Sequence, residues 1–170
     1  RVRVPAVLCE ISIEVKYENG TQRVYLNGED LGDKIRTPEM SMYASAVSAI
    51  PAVRAFLLDT QRDIAKRHSV IMDGRDIGTT VFPDAELKIF MTASAEIRAE
   101  RRAAEMRAKG DDVNIEDVKK NLLERDYIDS HRETSPLSKA EDAIVLDNSH
   151  MTIEDQMVWL KEIIAERFGC

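Results

Sequence analysis

The chain has 170 residues, of which 44% are hydrophobic and 32% charged, a size typical of one compact globular domain with a small appendage. Its formal net charge of −7 argues against a general nucleic-acid binder, whose contact surface is basic, but leaves room for a small anion held by a few arginines. The two cysteines, Cys9 and Cys170, have no metal-ligand spacing, and no apolar run approaches the length of a membrane span, so we expect a reducing, cytosolic setting.

The first predicted element is a small antiparallel sheet. Apolar residues alternate with polar ones in its first strand, the period of a half-buried strand. These apolar residues are Ile11, Ile13, Val15 and Tyr17. Asn19-Gly20 then supplies a hairpin turn, because both residue types tolerate positive φ, and Val24 and Leu26 continue the alternation before a second turn at Asn27-Gly28.

Two helices are predicted next. The chain becomes helical after Thr37-Pro38, and Pro51 suits the first turn of a second helix, where its missing N–H breaks no hydrogen bond. Apolar residues at helical spacing predict the buried stripe of that second helix. They are Val53, Phe56, Leu57 and Ile64.

Beyond residue 68, predicted strands at 70–72, 87–91 and 143–146 alternate with helices. Ser94 begins the first of these helices and Gly110 ends it, Asn114 with Asp117 begins the next, and Thr152 with Asp155 begins the last. Strands separated by helices imply a parallel sheet, in which ligands bind beyond the carboxyl ends of the strands.

A glycine-flanked segment, Gly74-Arg75-Asp76-Ile77-Gly78, directly follows the predicted strand at 70–72. Glycines at the end of a strand let the backbone turn sharply and approach a ligand. Arg75 could grip a phosphate with its planar fork, and Asp76 could accept a hydrogen bond from an amino group. Spacing alone slightly favours a simpler interpretation, a β-turn with a local Arg–Asp pair.

Two charged stripes lie at helical spacing. The first consists of Arg125, Asp129 and Arg132. Two guanidiniums around one carboxylate suit a sugar phosphate. The second consists of Arg98, Arg101 and Arg102. Clustered arginines suit the charge of a transferring phosphoryl group. On spacing alone, solvent-exposed ion pairs explain both stripes better.

Other polar residues carry weaker signals. Ser45 and Arg54 lie on either side of Pro51, and from the residues alone they are packing and surface positions. The histidines are scattered along the chain, at His68, His131 and His150. No catalytic triad and no metal site are therefore predicted.

Three segments together closely resemble the bacterial cytidylate kinases. They are IRTPEMS…SAVSAIPAVRAFLLDTQRDIAK, MDGRDIGTTVFPDAELKIFMTAS and ERDYIDSHRETSPLSKAEDAIVLDNS, within a resemblance that runs from about Ile11 to the C-terminus. It implies an α/β fold, a P-loop kinase-like parallel sheet flanked by helices with a small antiparallel β insert. It also implies transfer of the γ-phosphoryl group of ATP to CMP or dCMP, with Mg²⁺ accompanying ATP.

The resemblance assigns roles residue by residue. The residues that read the cytosine base are Ser45, Arg54 and Asp76. Those that bind the phosphate or sugar of CMP are Arg75, Arg125, Asp129 and Arg132, and the three arginines are also expected to stabilise charge during transfer. The mobile lid over ATP carries Arg98, Arg101 and Arg102. No residue of this chain is implied as a metal ligand.

The resemblance also divides the chain. Residues 1–36 are expected to be the β-rich part of the insert that binds the nucleoside monophosphate, and residues 37–67 its helical part. Residues 68–170 are expected to form the core, with the lid around 98–113. We expect the complete protein to act as a monomer on ATP and CMP or dCMP, without a nucleic-acid or membrane partner.

The chain departs from the family in one respect. It contains no G-x-x-x-x-G-K-[ST] loop, whose N–H groups, Lys and hydroxyl hold ATP phosphates and Mg²⁺. We therefore expect a fragment that lacks the donor site and is inactive alone. Two alternatives stay open: a kinase for another small acceptor such as UMP, AMP or shikimate, and a non-catalytic module that binds a nucleotide or a partner protein.

Overall fold

The structure is a computed structural model that describes residues 7–48 and 50–169, without the side chains of Arg36, Pro38, Ser41 and Ser45. The chain divides into two compact units. The first comprises residues 1–82 and 128–138, and the second comprises residues 83–127 and 139–170. The three-part division at residues 36 and 67, with a lid around 98–113, stays a prediction.

The first unit begins with an antiparallel meander of β1 (Ile13–Glu18), β2 (Thr21–Leu26) and β3 (Glu29–Asp30). Asn19 and Gly20 connect the first two strands with φ angles of 52° and 78°. Two consecutive positive φ angles match the twist of a two-residue hairpin, and Asn and Gly are the residues that adopt them most readily. The hairpin predicted from this dipeptide is confirmed.

The burial predicted for the apolar face of this meander is wrong. Val15 lies opposite Val24 on that face, yet the side chain of Val15 is 47% exposed and that of Tyr17 is 78% exposed. On the other face, the ammonium of Lys16 lies 4.6 Å from the ring centroid of Tyr25. Alternation specifies which side chains share a face of a strand, but only a second layer can bury that face.

Two helices follow in the first unit: α1 (Pro38–Ser48) and α2 (Pro51–Arg67). The hydroxyl of Thr37 accepts a hydrogen bond from the N–H of Met40 at 3.1 Å, which satisfies one of the free donors at the start of α1. Pro51 occupies the first turn of α2 as predicted. Within the predicted apolar stripe of α2, Val53 is buried and the other three residues are half-buried.

The second unit contains a parallel sheet of β4 (Ile89–Thr92) and β5 (Ile144–Asp147). Its helices are α3 (Ala95–Ala108), α4 (Ile115–His131) and α5 (Ile153–Phe168), and the boundary between the units falls inside α4, after Tyr127. Parallel strands that are separated by helices confirm the predicted α/β class.

Local signals mark the ends of these helices as predicted. The hydroxyl of Ser94 accepts from the N–H of Ile97 at 3.3 Å where α3 begins, and Gly110 has a φ of 93° just beyond its end. At the start of α5, Thr152 and Asp155 each accept a hydrogen bond from the backbone N–H of the other.

The strand predicted at 70–72 is wrong, because these residues form no strand in the structure. Ile71 is fully exposed. A strand exists only through hydrogen bonds to a neighbour, and no described strand lies beside this run.

Within residues 7–48 and 50–169, no single helix is long and apolar enough to cross a membrane. Only a pair bent by 97°, Met42–Ser48 with Pro51–Arg67, reaches that length and composition together.

Candidate functional site

The candidate site lies in the first unit and is organised around the loop that follows α2. Asp76 opens a single π-helical turn, Ile77–Val81, and its carbonyl accepts hydrogen bonds from the N–H groups of Thr80 at 2.8 Å and Val81 at 3.2 Å. Just before it, a Cβ on Gly74 would lie 2.8 Å from Cγ1 of Ile77. A larger residue at this position would therefore require the Ile77 side chain to shift.

The Asp76 carboxylate is almost buried, with 9% of the residue exposed, and it faces two guanidiniums. Oδ2 accepts a hydrogen bond from Nη2 of Arg54 on α2, while Oδ1 lies 3.8 Å from Nη2 of Arg132. A buried charge needs an opposite charge or hydrogen bonds beside it, and the two guanidiniums supply them to this carboxylate.

A second carboxylate continues the same network. Asp129 is 3% exposed, and its Oδ2 accepts a hydrogen bond from Nε of Arg75 at 3.0 Å. Its Oδ1 lies 3.8 Å from Nη1 of Arg132. The charges thus alternate in the order Arg54, Asp76, Arg132, Asp129 and Arg75, with three positive groups and two negative ones.

Arg132 is the central cation of this network, and its side chain is only 8% exposed. Its Nε donates to the carbonyl of Ser135 at 2.7 Å, whereas its buried Nη2 has no hydrogen-bond partner among the residues that the structure describes. Burial, reinforced by the like charge of Arg54, lowers the pKa of the Arg132 guanidinium below its ordinary value. A buried donor that lacks a partner is costly, and an anion bound beside it would complete its hydrogen bonding.

Sequence reasoning missed Ser48, the last residue of α1. Its carbonyl accepts a hydrogen bond from Nη1 of Arg54 at 3.2 Å, and its hydroxyl accepts one from Nη1 of Arg132 at 3.4 Å. The available signal was its position three residues after Ser45, which places both on one side of a helix. The side chain of Ser45 lies outside the described part of the chain, so its role as a base reader stays a prediction.

The remaining predicted residues belong to the second unit. Arg125 lies on α4, and within the described residues its buried Nε has no hydrogen-bond partner. Arg102 lies on α3 with its Nη1 3.2 Å from the carboxylate of Glu105, one turn along the helix. Their predicted contacts with CMP and ATP stay predictions.

Two arginines of α3 make contacts inside the second unit. Nη1 of Arg98 lies 2.5 Å from the carboxylate of Asp126. Arg101 donates from Nη1 to the side-chain oxygen of Asn148 at 3.0 Å and from Nη2 to its carbonyl at 2.6 Å. Any role over ATP would require these side chains to exchange partners.

The network of the first unit has the chemistry of an anion-binding site, with carboxylates beside it that can accept hydrogen bonds from a ligand. Buried guanidiniums form short, charge-assisted hydrogen bonds to phosphate oxygens, and an ionised carboxylate accepts from amino or hydroxyl groups. Among the described residues, no group of three His, Cys, Asp or Glu side chains gathers as a metal site would require.

Comparisons with known proteins agree with this chemistry. The family model described as cytidylate kinase matches residues 4–166, so the match begins somewhat earlier than the resemblance recognised from about Ile11.

Curated relatives carry the same family name. A cytidylate kinase of Bacteroides fragilis is 53% identical over 150 residues, which cover 88% of this chain and 66% of that protein. One from Flavobacterium johnsoniae is 50% identical over 92% of this chain and 69% of its own length. One from Lactobacillus gasseri is 49% identical over 92% of this chain and 68% of its own length. The chain spans about two thirds of the length of these relatives, and it belongs to the cytidylate kinase family.

Proposed function

We propose that this chain supplies the acceptor site of a kinase that transfers the γ-phosphoryl group of ATP to CMP or dCMP. The observation that carries the proposal is the state of Arg132, which is buried between Asp76 and Asp129 and whose Nη2 has no hydrogen-bond partner in the described part of the chain. A nucleotide phosphate that reaches this atom would satisfy it with a charge-assisted bond.

Asp76 and Arg54 are proposed to read the base. The pairing edge of cytosine offers an amino donor and two acceptors, so Asp76 would accept from the amino group and Arg54 would donate to the ring. The pair is already held together in the first unit, and Ser48 fixes the other terminal nitrogen of Arg54. Ser45 is proposed to join them as a third contact.

The phosphate and sugar are assigned to the other half of the network. Arg132 and Arg75 would bind the phosphate, and Asp129 would hold both guanidiniums and accept from a sugar hydroxyl. The side chain of Arg75 is 46% exposed, which leaves it accessible to a ligand. Arg125 is proposed to lie near the sugar hydroxyls with Asp129, as the family resemblance implies.

Transfer would proceed directly from ATP to the CMP phosphate, without a covalent intermediate. Catalysis of this kind consists of positioning and charge stabilisation, which the arginines Arg75, Arg125 and Arg132 are proposed to supply. Arg98, Arg101 and Arg102 are proposed to close over ATP. Mg²⁺ is proposed to enter bound to the phosphates of ATP, since the described acidic residues form no cluster of their own.

The 170 residues contain no G-x-x-x-x-G-K-[ST] segment for the phosphates of ATP. We therefore propose that this chain binds CMP but does not turn it over without a donor site from elsewhere. A cytoplasmic location belongs to the same proposal and is supported by the two cysteines, which lie far apart in sequence and have neither metal-ligand nor disulfide-framework spacing.

The test is isothermal titration of this chain with CMP, dCMP, UMP and AMP, together with a coupled assay for ADP release. We expect measurable binding of the cytosine nucleotides, weaker binding of UMP and AMP, and no ADP release. Preference for UMP or AMP would support a kinase for another acceptor. Absence of nucleotide binding would contradict the proposal and favour a module that binds a partner protein.

A further inference from the structure

We propose that Arg62 is a positioning residue for base recognition, which locks the loop that carries Asp76 onto the helix that carries Arg54. The inference rests on the proposed function, because it concerns how the cytosine-reading pair is held. Arg62 itself would touch no substrate. It would act only through the backbone of the loop.

The guanidinium of Arg62 holds two consecutive carbonyl groups of the loop. Nη2 donates to the carbonyl of Thr80 at 2.9 Å, and Nε donates to the carbonyl of Val81 at 3.1 Å. Both distances are close to the optimum for N–H···O hydrogen bonds. The planar fork of arginine fixes the direction of both bonds at once, which a single donor could not do.

These two residues are the ones that bond back to Asp76. The N–H groups of Thr80 and Val81 both donate to the carbonyl of Asp76, and the side chain of Val81 is buried. Each of the two residues therefore receives a bond from Arg62 on its carbonyl and gives one to Asp76 from its N–H. A shift of either residue would move the backbone of Asp76.

The contacts close a ring through α2. Arg54 and Arg62 lie eight residues apart on this helix, about 12 Å along its axis. From Arg62 the ring passes through Val81 to Asp76, and from the Asp76 carboxylate it returns to α2 at Arg54. A base reader must be held within a fraction of an ångström, and this ring fixes Asp76 from its backbone as well as from its carboxylate.

An arginine with only a structural role would behave differently in a variant. Its loss would lower stability and leave the preference between bases unchanged. Loss of a positioning residue changes that preference, because a displaced Asp76 accepts poorly from the cytosine amino group, while Asp129 still holds the guanidiniums of Arg132 and Arg75.

The experiment compares Arg62→Ala, Arg62→Lys and Arg67→Ala with the unaltered chain by titration with CMP and UMP. Arg67 is a matched control, because it is an exposed arginine of the same helix that also donates to a carbonyl, that of Asp63. We expect Arg62→Ala to lower the CMP/UMP affinity ratio roughly tenfold and Arg62→Lys to restore part of it. Arg67→Ala should leave the ratio unchanged.

Hydrogen exchange supplies a second readout that does not depend on a ligand. The amides of Thr80 and Val81 should exchange faster in Arg62→Ala, and in Arg62→Lys to a smaller degree, than in Arg67→Ala. If Arg62→Ala does not fold, Arg62→Lys carries both measurements. An unchanged CMP/UMP ratio or unchanged amide exchange would overturn the inference for Arg62 alone, whereas failure of the unaltered chain to bind CMP would overturn it together with the proposed function.

Discussion

Arg54 and Asp76 form a hydrogen-bonded ion pair across 22 residues of chain, with side chains that are only 16% and 11% exposed. Removing one member of such a pair leaves the other charge with little solvent to stabilise it. We therefore expect two separable effects of the pair, one on the stability of the first unit and one on which nucleotide the unit binds.

Asp76→Ala should lower the CMP/UMP affinity ratio by about tenfold or more, because a site that accepts from an amino group discriminates against a base that lacks one. Affinity for inorganic phosphate should change little, since Asp129 still orients Arg132 and Arg75. The measurement is titration with the three ligands. Asp76→Asn is the matched control for size, and an unchanged ratio in both variants would mean that Asp76 does not read the base.

Arg132→Ala should weaken CMP binding about tenfold to a hundredfold, because a charge-assisted contact to phosphate contributes roughly 1.5–3 kcal/mol and each 1.36 kcal/mol is a factor of ten. Arg132→Lys should recover only part of this, since it supplies a charge without the planar fork. Titration with CMP and a urea unfolding curve are both required. Normal binding with a lowered urea midpoint would show that Arg132 only stabilises the fold.

The start of α5 should carry an acid-sensitive contribution to stability. The carboxylate of Asp155 accepts hydrogen bonds from Thr152, and these lower its pKa below the ordinary 3.8. The bond from the N–H of Thr152 has the larger effect, and the bond from its hydroxyl the smaller. The pKa of Asp155 is lower in the folded chain than in the unfolded chain. The stabilisation is therefore fully present at a pH above the unfolded-state pKa, and it is lost as the pH falls through the folded-state pKa.

Fluorescence of Trp159, the single tryptophan and a residue of α5, can follow this loss. We expect the Asp155→Asn variant to be less stable than the unaltered chain near pH 7. Below about pH 4, its stability should fall less steeply with decreasing pH than that of the unaltered chain. Glu154→Gln is the control, because Glu154 lies in the same first turn outside the Thr152–Asp155 capping box. Equal acid curves for Asp155→Asn and the unaltered chain would contradict the prediction.

Gly74→Ala should destabilise the first unit by about 1 kcal/mol, the usual effect of modest overpacking, because its methyl group would lie 2.8 Å from Cγ1 of Ile77. The double variant with Ile77→Ala should show less than the sum of the two single effects, since the shortened side chain removes the clash. Urea unfolding of the three variants measures this, and strict additivity would show that Ile77 is not the obstacle.

The features that could be predicted from the sequence are those that a few neighbouring residues determine. Asn19-Gly20 specifies its turn through its own φ angles, and Ser94 and Thr152 mark helix starts through bonds to residues three positions away. The run at 70–72 failed as a strand because pairing depends on a neighbour that a local pattern does not reveal.

The candidate site divides in the same way. Arg54, Arg75, Asp76, Asp129 and Arg132 were all predicted from a family resemblance, and the first unit brings them into one network. Ser48 and Arg62 were missed because their contacts are distant in sequence. Ser48 lies 84 residues from its partner Arg132, and Arg62 lies 18 residues from its partner Thr80. A hydrogen bond to a backbone carbonyl leaves no pattern in the identity of the accepting residue, so the contact of Arg62 with Thr80 could not be found without coordinates.

The alternating network of arginines and carboxylates draws on three stretches of chain, around residues 54, 76 and 130, so no unfolded chain contains it. A nucleotide that binds there would have affinity for the folded form alone. By mass action, CMP at a hundred times its Kd would add about 2.7 kcal/mol to the free energy of unfolding. The abundance of the acceptor would then influence how long the chain survives proteolysis, and a melting temperature that rises with CMP concentration would report occupancy of the site without any turnover.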